Sequence, residues 1–108
     1  MTQKQFDKLV DDLNDYSLEI MKNKRPEYTN QDLDVLNNFK TTADRLNVSE
    51  LRVWGVFFEK QIQSVFAHIK NANLKKSEPI HSRFADIINY CYLGYALFKE
   101  RDGKKKNN

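Results

Sequence analysis

Apolar residues recur every three or four positions along almost the whole chain, the spacing of one helical face and not the alternation of a strand. A first set, Phe6, Leu9, Val10, Leu13, Tyr16 and Ile20, predicts a helix starting at Thr2, with Gln5 placed to complete a capping box. That helix is expected to end near Lys24, because Pro26 disfavours a helical Arg25, and residues 25–30 then read as a loop. A second set, Leu33, Leu36, Phe39, Ala43 and Leu46, predicts a shorter helix capped by Thr29 or Asn30 and stopped by a left-handed Asn47. Ser49 is placed to cap a third helix, from about Glu50 to Ala72. Its apolar set (Val53, Trp54, Phe57, Phe58, Ile62, Val65, Phe66, Ile69) wraps more than one face, so that helix is central or oligomeric. Residues 71–77 read as a connector. A fourth helix follows, from about Pro79, favourable in a first turn, to Glu100. The fold class is therefore all-α, a compact bundle of four helices. A chain this small has difficulty covering its third helix alone, and a symmetric dimer through helices three and four is expected.

The fourth helix carries the most informative departure from the pattern. Ile87, Ile88, Cys91, Leu93, Ala96 and Leu97 mark it as core-facing, yet Arg83, Asp86, Asn89 and Tyr90 lie three or four residues apart and share one face. A polar group left unpaired beside a core costs roughly 1–3 kcal/mol. These groups therefore satisfy one another or face a ligand.

Composition narrows the classes. At 108 residues the chain is one domain, here residues 1–101, followed by a basic tail over residues 102–108 that reads as disordered. Apolar residues make up 40% and charged residues 31%, the balance of a soluble folded chain. No apolar run approaches the ~20 residues of a membrane span, and the opening residues do not read as a signal peptide. A lone Cys91 rules out an internal disulfide and, among apolar neighbours, is expected to be a buried thiol. Together these point to a cytoplasmic protein without membrane contact. The net charge of +3 comes largely from the tail, which can attract phosphate or simply be a solvated end.

Much enzyme chemistry is absent. His68 and His81 lie on different elements, so zinc spacing is missing. There is no glycine-rich phosphate loop and no nucleophile elbow. The helix after Asn47 is too apolar to lie in a DNA groove, so direct DNA binding is not expected. What remains is polar residues on apolar helices. Glu59 and Lys60 on helix three and Arg83 and Asp86 on helix four could meet. Glu59 and Asp86 would then share a magnesium ion, and Lys60 and Arg83 would take phosphate oxygens. The alternative is interhelical ion pairs. Glu27 and Tyr28 fall before a helix start, where N–H groups attract anions, or Tyr28 closes the core. Asn38 and Lys40 on helix two could reach a base or a phosphate, or belong to a solvated face.

Pro26-Glu27-Tyr28, Asp34-Val35-Leu36-Asn37-Asn38-Phe39-Lys40, Lys60, Glu78-Pro79-Ile80, Arg83, Asp86 and Asn89-Tyr90 stand in an order that resembles the nucleotide modification associated domain of type one. This is a small helical family found mostly in phages and prophages. The resemblance spans about Pro26 to Arg101 and implies a phage-type protein in a bacterial host cell, in a setting of nucleotide or DNA-base modification. It further implies a helical form similar to the MazG-like nucleotide pyrophosphohydrolases, which hold magnesium with Glu-x-x-Glu and Glu-x-x-Asp pairs. The chain departs from both patterns. Gln61 stands where the family often has histidine, Ile62 lies three residues after Glu59, and Arg83 lies three before Asp86. Two carboxylates are few for a reaction that uses several metal ions.

Three functions follow. The first is binding of a nucleotide or phosphorylated small molecule at Glu27, Tyr28, Asn38, Lys40, Lys60, Arg83, Asp86 and Asn89. The second is a metal-dependent pyrophosphohydrolase with Glu59 and Asp86 on Mg²⁺. The third is a non-enzymatic protein that binds a host protein.

Overall fold

The computed structural model describes residues 1–29, 34–71, 73 and 78–107, the side chains of 25–29 and 105–107 excepted. Four helices follow one another: α1 (Gln3–Thr29), α2 (Asn37–Leu46), α3 (Glu50–Lys70) and α4 (Ile80–Asn107), with no strand among the described residues.

The helix ends are chemically explicit. The Thr2 hydroxyl accepts from the Gln5 N–H at 3.1 Å and the Gln5 side chain accepts from the Thr2 N–H at 2.8 Å, the reciprocal capping box expected of the pair. Ser49 Oγ accepts from the Arg52 N–H at 3.1 Å and starts α3. Asn47 ends α2 at φ 54°, the only positive-φ non-glycine residue among those described. Its neighbour's N–H, on Val48, reaches the Ala43 carbonyl.

Four boundaries differ from the sequence reading. α1 continues through Pro26 to Thr29, because a proline removes one N–H donor and biases its predecessor without forbidding a helix. α2 starts at Asn37, later than expected. Asp34 sets that start: its carboxylate accepts from the Leu36 N–H at 2.9 Å and its carbonyl from the Asn37 N–H at 3.1 Å, a side-chain turn that competes with helix. α3 ends at Lys70, two residues early, and α4 runs past Glu100 to Asn107.

The core joins three helices. Leu36, at the N-cap of α2, and Phe39 and Ala43 within it meet Val53 of α3 and Leu93 and Leu97 of α4, with Met21 of α1 packed against them. Trp54 fixes α3 to α4. Its indole N–H donates to the Tyr90 carbonyl at 2.7 Å, and its ring stacks on Phe58. Gly94 makes room for it: a Cβ there would stand 2.5 Å from the indole carbons. Glu50 and Leu51 border the same hollow as Leu97, Glu100 and Arg101, so α3 and α4 run antiparallel.

Not every apolar residue found a place inside. Leu46, the last of the expected α2 stripe, is exposed, as are Phe6, Leu9 and Val10 on the first turns of α1. Cys91 is exposed, against expectation. The fourth helix is apolar on both sides, so apolar neighbours did not reveal which side Cys91 takes. The bundle is elongated: its radius of gyration is 16.3 Å and it extends 50 × 31 × 25 Å. A globular domain of this length has a radius of about 13 Å. No described helix is long and apolar enough to cross a membrane.

Candidate functional site

Along the inner side of α4, positions 85, 89, 93 and 97 recur every four residues and are buried. Three of them are apolar. Asn89, at 1% exposure, is not. Its amide Nδ2 donates to the Ser17 carbonyl at 3.0 Å and so ties α4 to α1. Ser17 is itself fully buried and turns its hydroxyl back on the Asn14 carbonyl at 2.9 Å. The amide's other end is unmatched: Asn89 Oδ1 has no hydrogen-bond partner among the described residues.

One turn before Asn89, Asp86 stands among charges from three places. Lys24 of α1 approaches it at 3.7 Å, and the Asp86 side chain is only 13% exposed. Burial pushes its carboxyl above the ordinary 3.8. Lys24 and Arg83 pull it back down, and Glu78 pushes it further up. Arg83 lies 3.5 Å from Glu78 in turn. Burial, and then the charge of Asp86, push the Tyr90 phenol up as well. The result is two cations and two carboxylates, Lys24, Arg83, Glu78 and Asp86, beside a buried amide. Such a set can hold a ligand that is itself both donor and anion: carboxylate and amide oxygens accept N–H or O–H groups, while the guanidinium and ammonium take phosphate oxygens.

Arg83, Asp86 and Asn89 thus come together as their spacing implied. Glu59 and Lys60 do not join them. Glu59 shares an exposed side of α3 with Arg52, Val56 and Gln63, while Val53 and Trp54 turn inward. The Gln63 amide donates to Glu59 at 3.4 Å, and Lys60 is exposed too. Among the described residues no three of His, Cys, Asp and Glu gather into a group that could hold a metal ion. Lys40 lies elsewhere again. It pairs with Asp34 and, at 2.6 Å, with Glu100, clamping the start of α2 to the far part of α4. Glu100 is 14 residues from Asp86, about 20 Å along a helix. The two carboxylates raise the Lys40 pKa, and the Lys40 ammonium, ahead of the Leu36 N–H, lowers that of Asp34. Asn38 is half-buried on the first turn of α2. Glu27 and Tyr28 belong by backbone to the last turn of α1, an end that presents carbonyls and not anion-seeking N–H groups; their side chains lie outside the described residues.

Sequence reasoning overlooked Lys24 and Ser17. They lie seven apart in line with Ile20 and Met21, so a polar residue on an apolar stripe was the available signal. A separate groove of about 720 Å³ lies between the first turns of α1 and α4, walled by Leu9, Leu13, Tyr16, Ile80 and Phe84. None of Lys60, Arg83, Asp86 and Asn89 lines it. Comparison of the chain with protein-family models, with curated proteins and with solved structures gives no match.

Proposed function

We propose that this protein binds a nucleotide or another phosphorylated small molecule at the cluster of Lys24, Arg83, Asp86 and Asn89, without catalysing its turnover. The observation that carries the reading is Asn89, an amide at 1% exposure whose oxygen has no partner among the described residues, one turn from a nearly buried Asp86. A structure that only needed packing there is served better by an apolar residue, since an unmatched buried acceptor costs about 1–3 kcal/mol. Buried titratable groups with shifted pKa values are common where ligands bind. In this reading Asp86 and Asn89 accept from a base or sugar, and Lys24 and Arg83 hold phosphate. The carboxylates present, Glu78 and Asp86, already face cations, which favours binding over metal-dependent hydrolysis. The sequence resemblance adds the setting, a phage-type protein of a bacterial host cell; composition adds the cytoplasm, and a small chain with too apolar a third helix adds a symmetric homodimer.

A thermal-shift screen of nucleoside mono- and triphosphates and cyclic nucleotides, with and without Mg²⁺, tests the reading. A ligand at 100 times its Kd adds about 2.7 kcal/mol of stability. The expected result is a rise in Tm that disappears in Asp86→Ala. A flat screen on well-folded protein would assign the cluster to holding α1 against α4.

A further inference from the structure

α4 has a second apolar side. Ile80, Phe84, Cys91, Tyr95 and Phe98 follow one another at helical spacing, and Ile87 lies between them. At about 100° per residue their mean direction is opposite to that of Ala85, Asn89, Leu93 and Leu97, which face inward. The four large ones are 40–67% exposed, and Cys91 is exposed with them. No charged or amide side chain interrupts this stripe over the 19 residues from Ile80 to Phe98, about 27 Å of helix. It ends where the Arg101 guanidinium covers the Phe98 ring, 4.7 Å from its centre. At its other end it runs into the groove against Leu9 and Leu13 of α1. An apolar stripe on a helix ordinarily faces a core, and this side of α4 has none.

The surface area indicates what is missing. The chain exposes 8275 Å². A folded monomer of 12.8 kDa exposes about 6,300 Å², so this elongated chain, counted with its residues outside the described set, exposes about 2,000 Å² more. An obligate homodimer buries about 1,000–2,500 Å² per partner, and the excess falls inside that range. The stripe also suits a second copy in kind. It is uncharged, so it meets its own image across a two-fold axis without like-charge contact, and Cys91 lies near its middle. The outward side of α3 is unsuited to the seam, because Arg52, Glu59, Gln63 and Lys70 interrupt Val56 and Phe66.

We infer that the outer stripe of α4 is the contact face of a homodimer, packed against the same stripe of a second copy, with the first turns of α1 closing its edge. This deepens the homodimer part of the proposed function by naming the face, and it is independent of any ligand.

Sedimentation and light scattering of the full chain at micromolar concentration give its mass, and the rate at which Cys91 reacts with a chromogenic disulfide reports whether the stripe is covered. The expected result is twice 12.8 kDa, with Cys91 reacting at least tenfold more slowly than in urea. Phe84→Asp with Tyr95→Asp should give a helical monomer in which Cys91 reacts freely. If that variant does not fold, the mass and thiol rate of the parent chain still decide. A parent mass of 12.8 kDa overturns both the dimer and the face. A dimer whose Cys91 reacts at the free-thiol rate overturns the face alone. Neither outcome bears on the nucleotide screen, which reads a different cluster.

Discussion

One side of α4 carries Ala85, Asn89, Leu93 and Leu97, and the opposite side carries Ile80, Phe84, Cys91, Tyr95 and Phe98. Leu97 is 2% exposed and Phe98, its chain neighbour, 40%. The outer side is if anything richer in large apolar groups. The inner side is filled because α2 and α3 bring Phe39, Ala43, Val53 and Trp54 to it. Apolar content therefore states that a surface must be covered, while the number of elements in the chain decides how much of it can be covered from within. Three other helices, one of them only ten residues long, cover one side of α4 and leave the first turns of α1 open.

The largest expected effect comes from breaking the covered side. Leu97→Ala removes a fully enclosed side chain between α2, α3 and α4 and should cost about 2–5 kcal/mol in urea unfolding. Val10→Ala, on the open turns of α1, should stay within about 0.5 kcal/mol. A matching loss at Val10 would mean that those turns are as tightly packed as the core.

The two glycines of the described helix interiors α3 and α4 near Trp54 sharpen the same contrast. Alanine in place of glycine within a helix ordinarily adds about 1 kcal/mol. Gly55 has nothing within 4 Å of an added Cβ, so Gly55→Ala should stabilise by up to about 1 kcal/mol. At Gly94 the Cβ would meet the Trp54 ring, which is held by its bond to the Tyr90 carbonyl. Overpacking of that kind costs about 1–3 kcal/mol, so Gly94→Ala should destabilise. Opposite signs in thermal unfolding are the expected outcome. The same sign at both would show that Trp54 moves aside freely.

Local chemistry was the most legible part of the sequence. Thr2 with Gln5, Asn47 and Ser49 each act through neighbours one turn away, so their roles could be read without knowing the fold. Arg83, Asp86 and Asn89 were legible as one face for the same reason. Their partners were not. Lys24 and Ser17 come from α1, more than sixty residues away, and nothing in a periodic pattern says which helix will lie opposite. Glu59 was misplaced by the same gap, because α3 is apolar on more than one side and its spacing left the inward direction open. Pro26 misled for a different reason, as a bias on one residue was weighed against the pull of a 27-residue helix. Lys40 reads as a phosphate ligand until Asp34 and Glu100 are seen to share it.

The smallest expected effect concerns Asp86, a carboxylate on the covered side. Burial holds Asp86 above its ordinary 3.8 despite Lys24, so the folded chain binds its proton more tightly than the unfolded chain does. Stability from this group is then fully present below the unfolded value and is lost as pH rises through the folded one. Asp86→Asn removes that dependence. Unfolding midpoints in urea, followed from about pH 3 to about pH 8, should show the variant gaining on the parent across the window just above 3.8 and holding its gain at neutral pH. The opposite slope, with the parent gaining as Asp86 ionises, would mean that the Lys24 pair outweighs burial. Asp86 would then be a strut between α1 and α4. A parent that is destabilised by its own ionised carboxylate, and recovers when a nucleotide is added, fits a group kept for a ligand.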